Sequence, residues 1–328
     1  MTRTSDMTRQ RFLKLAAGAG GVLAAESLIG PFAPAWAADG SAYDPAVLAK
    51  PVQTKAIPSS GERIPIVGVG TAVHYEKILP DDPNFPTLVA SIEAFLDGGG
   101  TLIDTSPSYG RAEANLGEIF KRIGRRDKCF LATKISTTGE QAGIDSAAKS
   151  LKDMGTDRVE LLQVHNVKDT ATHLKTIRRM RDEGKVKYVG ITTSFENTYA
   201  EYERIMKAER LDFIQIDYAL DNRDVEDRIL PLALDRGMAV LTNLPFGRGR
   251  LFGKAKGKDL PAWAAAEMDC TSWAQFFLKF LLSHPAVTAV IPGTDKPQFA
   301  VDNLYAGRGR IPDAALRQKM VTYWESLG

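Results

Sequence analysis

The chain of 328 residues has little cysteine, little histidine and no block of one charge. Its two cysteines, Cys129 and Cys270, lie far apart and outside any CxxC spacing, which excludes a disulfide framework and a thiolate zinc site. Both read as small buried hydrophobes. The four histidines, His74, His165, His173 and His284, form no HxH pair and no carboxylate–histidine spacing at strand ends. A metal-dependent hydrolase would lack its ligands, and no metal site is expected. The net charge is only +2, and Lys and Arg are scattered, so neither nucleic acid nor an anionic membrane surface is implied as a partner. Long apolar runs are also missing. The longest, Leu15–Ile29, is short and interrupted by Glu26, too weak for a membrane span.

That run nevertheless sits in a distinctive leader. Thr8-Arg9-Gln10-Arg11-Phe12-Leu13-Lys14 is basic, the stretch after it is rich in Ala and Gly, and Ala35-Trp36-Ala37 before Ala38 reads as an A-x-A cleavage site. Residues 1–37 are therefore expected to be an export signal, similar to a twin-arginine (Tat) leader but with Arg9-Gln10 where a second arginine would stand. The expected compartment is the periplasm or beyond, with the Tat machinery as a partner and the cytoplasm as the alternative. Residues 38–56 are polar and aperiodic, the pattern of a surface linker. Residues 57–328 make one domain.

Within that domain short apolar runs alternate with helical patterns. The runs are Ile66–Thr71, Thr101–Thr105, Phe130–Lys134, Val159–His165, Tyr188–Thr193, Phe213–Tyr218, Met238–Leu244 and Val287–Pro292. Each is short and rich in Val, Ile and Leu, which suits parallel strands buried on both faces. Helical spacing is seen over Phe85–Leu96, Asp145–Met154, Thr172–Glu183, Asn197–Ala208, Val225–Arg236 and Ser272–Leu282, several ending at glycine. Eight strands separated by helices predict an α/β fold, a single-domain (β/α)8 TIM barrel. A doubly wound sheet would need a glycine fingerprint opening a helix, and Gly68-x-Gly70 lacks its third glycine. Ile57–Arg63 is expected to form a small hairpin capping the barrel floor.

In such a barrel the active site lies at the carboxyl ends of the strands. There the second strand leads into Asp104-Thr105-Ser106-Pro107-Ser108-Tyr109-Gly110, the third ends on Thr133-Lys134, and the fourth on Gln163-Val164-His165-Asn166. Singly, each polar residue has a bland reading as a solvated strand end or a turn cap. Together they make a site. A phenol near pKa 10 is a poor proton donor at neutral pH, and an adjacent ammonium is expected to lower that value. Asp104 supplies the countercharge that keeps Lys134 protonated, and His165 can orient a carbonyl oxygen. Such a site polarises C=O but contains no hydride source, so a cofactor is required.

At this point the chain resembles the aldo-keto reductase superfamily. The resemblance spans roughly residues 55–306 and rests on Gly68–Thr71, the run GTLIDTSPSYGRAEANLGEIF (Gly100–Phe120) with Glu113, Leu116 and Gly117, and the later FLATK, VELLQVH, VGITT and AVIPGT. It implies an NAD(P)H-dependent oxidoreductase that reduces an aldehyde or ketone reversibly, with Tyr109 as general acid, Lys134 and Asp104 tuning it, and His165 orienting the carbonyl. It also implies NADP(H), with NAD(H) as the alternative, held by Gly70 and Thr71; by Thr192, Thr193 and Gln215 at the carboxamide, with Asn243 beside the nicotinamide; by Leu244, Phe246, Gly247, Arg248 and Gly249 along the phosphates; and by Pro292, Gly293, Thr294, Lys296 and Asn303 at the adenosine end. Asn243 stands where many members place a stacking ring, and Phe299 where many place an arginine. Lys296 and Arg248 remain as phosphate partners. His74, Tyr75 and Phe246 are expected to wall a partly aromatic pocket for a small carbonyl or alcohol substrate. A catalytically weak nucleotide-binding sensor with the same fold is the competing reading. It has no need of a lysine-tuned phenol.

Overall fold

A computed structural model describes residues 43–328; the export signal expected over residues 1–37 lies outside them. Eight parallel strands form one curled sheet in chain order: β3 (Val69–Gly70), β4 (Leu102–Asp104), β5 (Phe130–Ile135), β6 (Val159–Val164), β7 (Val186–Thr193), β8 (Phe213–Asp217), β9 (Ala239–Asn243) and β10 (Val287–Val290). Parallel bridges Val67–Val290 and Gly70–Gly293 join first strand to last and close the barrel. The helices between consecutive strands are α2 (Phe85–Asp97), α3 (Ala112–Ile123), α4 (Glu140–Asp153), α5 (Thr170–Asp182), α6 (Tyr199–Ala208) and α7 (Ile229–Asp235). Three helices, α8 (Arg250–Ala255), α9 (Ala262–Met268) and α10 (Trp273–Leu282), fill the crossover from β9 to β10. After β10 come α11 (Pro297–Ala306) and α12 (Ala314–Ser326). Among the described residues no helix is long and apolar enough to cross a membrane.

The expected linker is not featureless. Val47 and Leu48 of a one-turn helix, α1 (Pro45–Leu48), are buried, and β1 (Thr54–Ala56) pairs antiparallel with β2 (Arg63–Pro65). The floor hairpin is therefore wider than Ile57–Arg63, whose first six residues are its loop. It seats Ile57 and Ile64 in the barrel interior, and Lys55 Nζ donates to Val287 O at 2.5 Å at the base of β10.

Strand alternation builds two cores. One face of each strand joins the helices in the larger core, while the other fills the barrel. The interior changes character with height. At the bottom Phe130, Tyr188 and Phe213 pack with ring centroids 5.5–5.9 Å apart. Above them sit Leu102, Ala132, Leu161 and Leu241, and two residues further along come Asp104, Lys134, Gln163 and Asn243. Period-two geometry thus stacks a polar layer on an apolar plug. Gly190 makes room for it, since a Cβ there would lie 2.9 Å from Phe213 O and 3.1 Å from Gln163 Cγ.

Candidate active site

The polar layer begins with a buried ion pair. Lys134 Nζ donates to Asp104 Oδ2 at 2.8 Å and to Thr105 O at 2.7 Å, and both partners are almost completely shielded. Burial pushes the Asp104 carboxyl up from its usual range, against the pull of Lys134 and hydrogen bonds from Gln215 and Gln163. Burial works against the Lys134 charge as well, but Asp104 and Tyr109 outweigh it and raise its pKa. The pair is best described as ionic, because neutralising either member would leave the other as an unpaired buried charge.

Tyr109 lies over this pair, its ring centroid 5.1 Å from Lys134 Nζ. Its pKa moves opposite to the expectation from sequence. Burial raises it first; the Lys134 charge pulls it back and Asp104 pushes it up again, leaving it above its ordinary value. An ammonium next to a phenol lowers the pKa only if desolvation is smaller, and here it is larger. Tyr109 therefore keeps its proton at neutral pH, as a donor must.

His165 faces Tyr109 edge-on, with centroids 5.8 Å apart. Burial, reinforced by Lys134, pushes its pKa down to about 3, so the ring is neutral. Its Nδ1 is surrounded by the hydroxyls of Ser136 at 2.5 Å, Ser106 at 3.2 Å and Ser108 at 3.3 Å. Nε2 bonds no described residue and is not among the buried unpartnered atoms, and His165 lines the cavity. Asn166 and Val167 then take left-handed φ values of 52° and 49°, turning the chain away and leaving the imidazole at the rim.

These groups open on a cavity of about 680 Å³ at the carboxyl ends of the strands, the usual place and size for a small-molecule site. Of the residues assigned from sequence, Gly70, Thr71, Asp104, Tyr109, His165, Thr192, Gln215, Asn243, Leu244, Phe246, Arg248, Gly293 and Asn303 line it. Lys134 lies beneath, reaching it through Tyr109. Thr193, Gly247, Pro292, Thr294 and Lys296 do not line it. Alternation explains Thr193: its hydroxyl turns outward to Thr198 Oγ1 at 2.7 Å, and Ser194, missed from sequence, faces in. Lys296 Nζ lies 5.4 Å from the Phe299 ring centroid, and it is Asp295 that faces the cavity, 3.3 Å from His74 Nδ1. Thr294 accepts from Asn303 Nδ2 at 3.1 Å and so holds a lining residue in place. Tyr75, expected as pocket wall, is fully buried and braces two loops by donating to Thr294 O at 3.1 Å. Ser108 and Ser136 were also missed, although Ser136 stands two residues after Lys134 and must share its face.

The lining suits a nicotinamide nucleotide. Thr192, Ser194, Gln215 and Asn243 offer hydroxyl and amide groups for a carboxamide, and Gln163 Nε2 donates to Gln215 Oε1 at 2.8 Å, fixing that side chain's orientation. The segment after β9 has positive φ at Leu244, Gly247, Arg248 and Gly249, which turns it across the cavity with Arg248 on the lining. Among the described residues no group of three or more His, Cys, Asp or Glu is arranged to hold a metal. Cys129 and Cys270 are buried, free and pushed up to about 12, so their thiols are unreactive.

Comparison with known proteins agrees with this geometry. The chain is 28% identical over 295 residues to the aldo-keto reductase str7 of Strobilurus tenacellus, covering 77% of this chain and 85% of that one. It is 30% identical over 186 residues to the aldo-keto reductase YhdN of Bacillus subtilis, covering 51% and 54%. An aldo/keto reductase of Klebsiella pneumoniae, crystallised with NADP and acetate, superposes with a TM-score of 0.70 at 22% identity, over 83% of this chain and 96% of that one. The holo form of the aldo-keto reductase AKR11C1 of Bacillus halodurans superposes with a TM-score of 0.62 at 20% identity, over 83% and 96%. The model of the aldo/keto reductase family matches residues 67–318, and with the barrel and its buried lysine–aspartate pair in place the chain belongs to that family of oxidoreductases.

Proposed function

We propose that this protein reduces an aldehyde or ketone to an alcohol, reversibly, using NADPH or NADH and a proton from Tyr109. The observation that carries the reading is the stacking of a protonated phenol over a fully buried Lys134–Asp104 pair, opposite a neutral imidazole on one cavity. A reduced nicotinamide nucleotide supplies the hydride when bound, which no side chain can do. Thr192, Gln215 and Asn243 would meet its carboxamide, Phe246 and Arg248 its phosphates, and Gly293 and Asn303 its adenosine end. The structural relatives crystallised with NADP or NADPH favour the phosphorylated form.

The residues then divide the work. Tyr109 gives its proton to the oxygen that gains negative charge. Lys134 stabilises the phenolate left behind, and Asp104 keeps that ammonium charged inside the barrel. His165, being neutral, orients the oxygen by hydrogen bonding and does not compete as an acid. Replacing Tyr109 by Phe should lower carbonyl reduction by roughly 10²–10⁴-fold. NADPH affinity, read by fluorescence titration, should stay within a few-fold of the parent. Full turnover in the Phe variant would overturn the mechanism.

We also propose that residues 1–37 are a Tat-type leader and that the folded protein leaves the cytoplasm with nucleotide already bound. The basic segment, the Gly-rich run and Ala35-Trp36-Ala37 support export. Fractionation of cells expressing the full chain should place it in the periplasm, and a strain lacking the Tat translocase should retain it. An exclusively cytoplasmic location in both strains would refute the proposal.

A further inference from the structure

Three serines from two loops converge on one ring nitrogen. Ser106 and Ser108 follow β4, Ser136 follows β5, and all three hydroxyls lie within 3.3 Å of His165 Nδ1. They also contact one another, Ser106 Oγ lying 2.9 Å from Ser108 Oγ and 3.3 Å from Ser136 Oγ, and Ser106 Oγ accepts the Ser108 amide at 3.3 Å. A neutral imidazole carries one N–H, and its position depends on what the other nitrogen meets.

The cluster favours one answer. Its three hydroxyl hydrogens have a single acceptor among them that is not itself a hydroxyl, and that acceptor is Nδ1. A bare Nδ1 gives the chain of hydroxyls an end point. A hydrogen on Nδ1 would instead remove that acceptor, and since only Ser106–Ser108 and Ser106–Ser136 are in contact, at most two of the three hydroxyls could then donate within the cluster. With Nδ1 accepting, the hydrogen sits on Nε2, the ring nitrogen of this cavity-lining residue that no described residue occupies. A carbonyl oxygen offers only lone pairs, so this is the tautomer that can hold it; the other would present lone pair to lone pair.

We infer that Ser106, Ser108 and Ser136 are positioning residues that fix His165 as its Nε2–H tautomer and aim that hydrogen at the substrate oxygen; the catalytic half of this inference rests on the reductase reading. Ser136 should contribute most, having the shortest contact and a place on the neighbouring strand end.

The test is ¹⁵N-histidine NMR on the full-length protein, with His165→Gln used to assign the signal among the four histidines. The parent should show a protonated Nε2 and a bare, hydrogen-bonded Nδ1 across neutral pH. The Ser106→Ala/Ser136→Ala variant should show mixed or switched tautomers. Its kcat for carbonyl reduction should fall about tenfold or more, the loss of one oriented hydrogen bond, while its nucleotide Kd stays unchanged. Ser136→Thr, which keeps the hydroxyl, should restore both signals, and single Ser136→Ala supplies the comparison if the double variant fails to fold. An Nδ1–H tautomer in the parent would overturn the inference. So would a serine-free variant that keeps both a pure Nε2–H signal and full kcat. A serine-dependent tautomer in a protein that turns over no aldehyde or ketone would uphold the assignment and sink the reductase reading instead.

Discussion

Removing the Lys134 amine separates its structural from its chemical role. In Lys134→Met the Asp104 carboxylate would stay at 3% side-chain exposure without a countercharge. A buried pair broken from one side typically costs about 3–5 kcal/mol. Neutralising the orphan by adding Asp104→Asn should recover much of that stability and none of the reductase activity. Urea melts and turnover on the single and double variants check this, and recovery of activity in the double variant would show that Lys134 only preserves the fold. This prediction depends on residues whose chemistry was legible in sequence, because packing alone seldom places Asp, Tyr, Lys and His in that order at successive strand ends. Less legible was the balance of forces on them. That Tyr109 rises where its ammonium neighbour alone would lower it is set by burial, which spacing does not reveal. Side-chain direction at strand ends was half-legible: period two would have exchanged Thr193 for Ser194 and added Ser136. Tyr75 was misplaced because an aromatic beside a pocket can face either the cavity or the core, and its hydroxyl found Thr294 O.

Among elements, the strand boundaries expected from apolar runs agree with the observed ones to within a few residues, because a strand buried on both faces must be apolar throughout. The first is the exception. Ile66–Thr71 shrinks to Val69–Gly70 as a regular strand, its remaining pairing consisting of isolated bridges that close the barrel. The extra helices α8 and α9 were not anticipated, being short pieces whose Gly- and Ala-rich sequences have weak periodicity. Helix contacts depend on details that periodicity also misses. Gly117 lies in the middle of α3, where Ala would ordinarily gain about 1 kcal/mol of helix propensity. A Cβ there, however, would stand 2.1 Å from Asp153 O at the end of α4. Backbone cannot swing aside as a side chain can, so the overlap should cost about 1–3 kcal/mol and reverse the sign. The two helices would have to part near Glu113, which accepts from Thr133 Oγ1 at 2.5 Å and from Ser150 Oγ at 2.9 Å and so ties α3 to β5 and α4. Gly117→Ala should therefore lower the urea midpoint and weaken the proposed carbonyl reduction beside Lys134. A midpoint equal to or above the parent's would show that α3 and α4 separate freely.

Over the whole molecule, stability should depend on pH in part through two bases that the fold buries in separate places. His165 is in the upper barrel, pushed down to about 3 from 6.5. Lys279 is in α10, fully buried and pulled down by burial to about 8 from 10.5; its amine donates to Arg308 O at 2.8 Å and Arg310 O at 2.9 Å, fastening the segment that leads to α12. Both bind a proton less readily folded than unfolded, so between its two values each makes the unfolded chain the better proton acceptor, and stability must rise with pH there. Each contribution is complete above the unfolded value and is lost as pH falls through the folded one. The windows do not overlap: Lys279 acts between pH 10.5 and 8, His165 between 6.5 and 3. Unfolding free energy measured against pH should accordingly lose part of its alkaline slope in Lys279→Met and part of its acid slope in His165→Gln, each variant leaving the other window unchanged. Lys279→Met should also expose the Arg308–Arg310 segment to trypsin, since its two carbonyls lose their buried donor. An alkaline slope identical in parent and Lys279→Met would mean that the amine keeps its ordinary affinity for protons inside the fold, with the Arg308 and Arg310 carbonyls compensating fully for its burial.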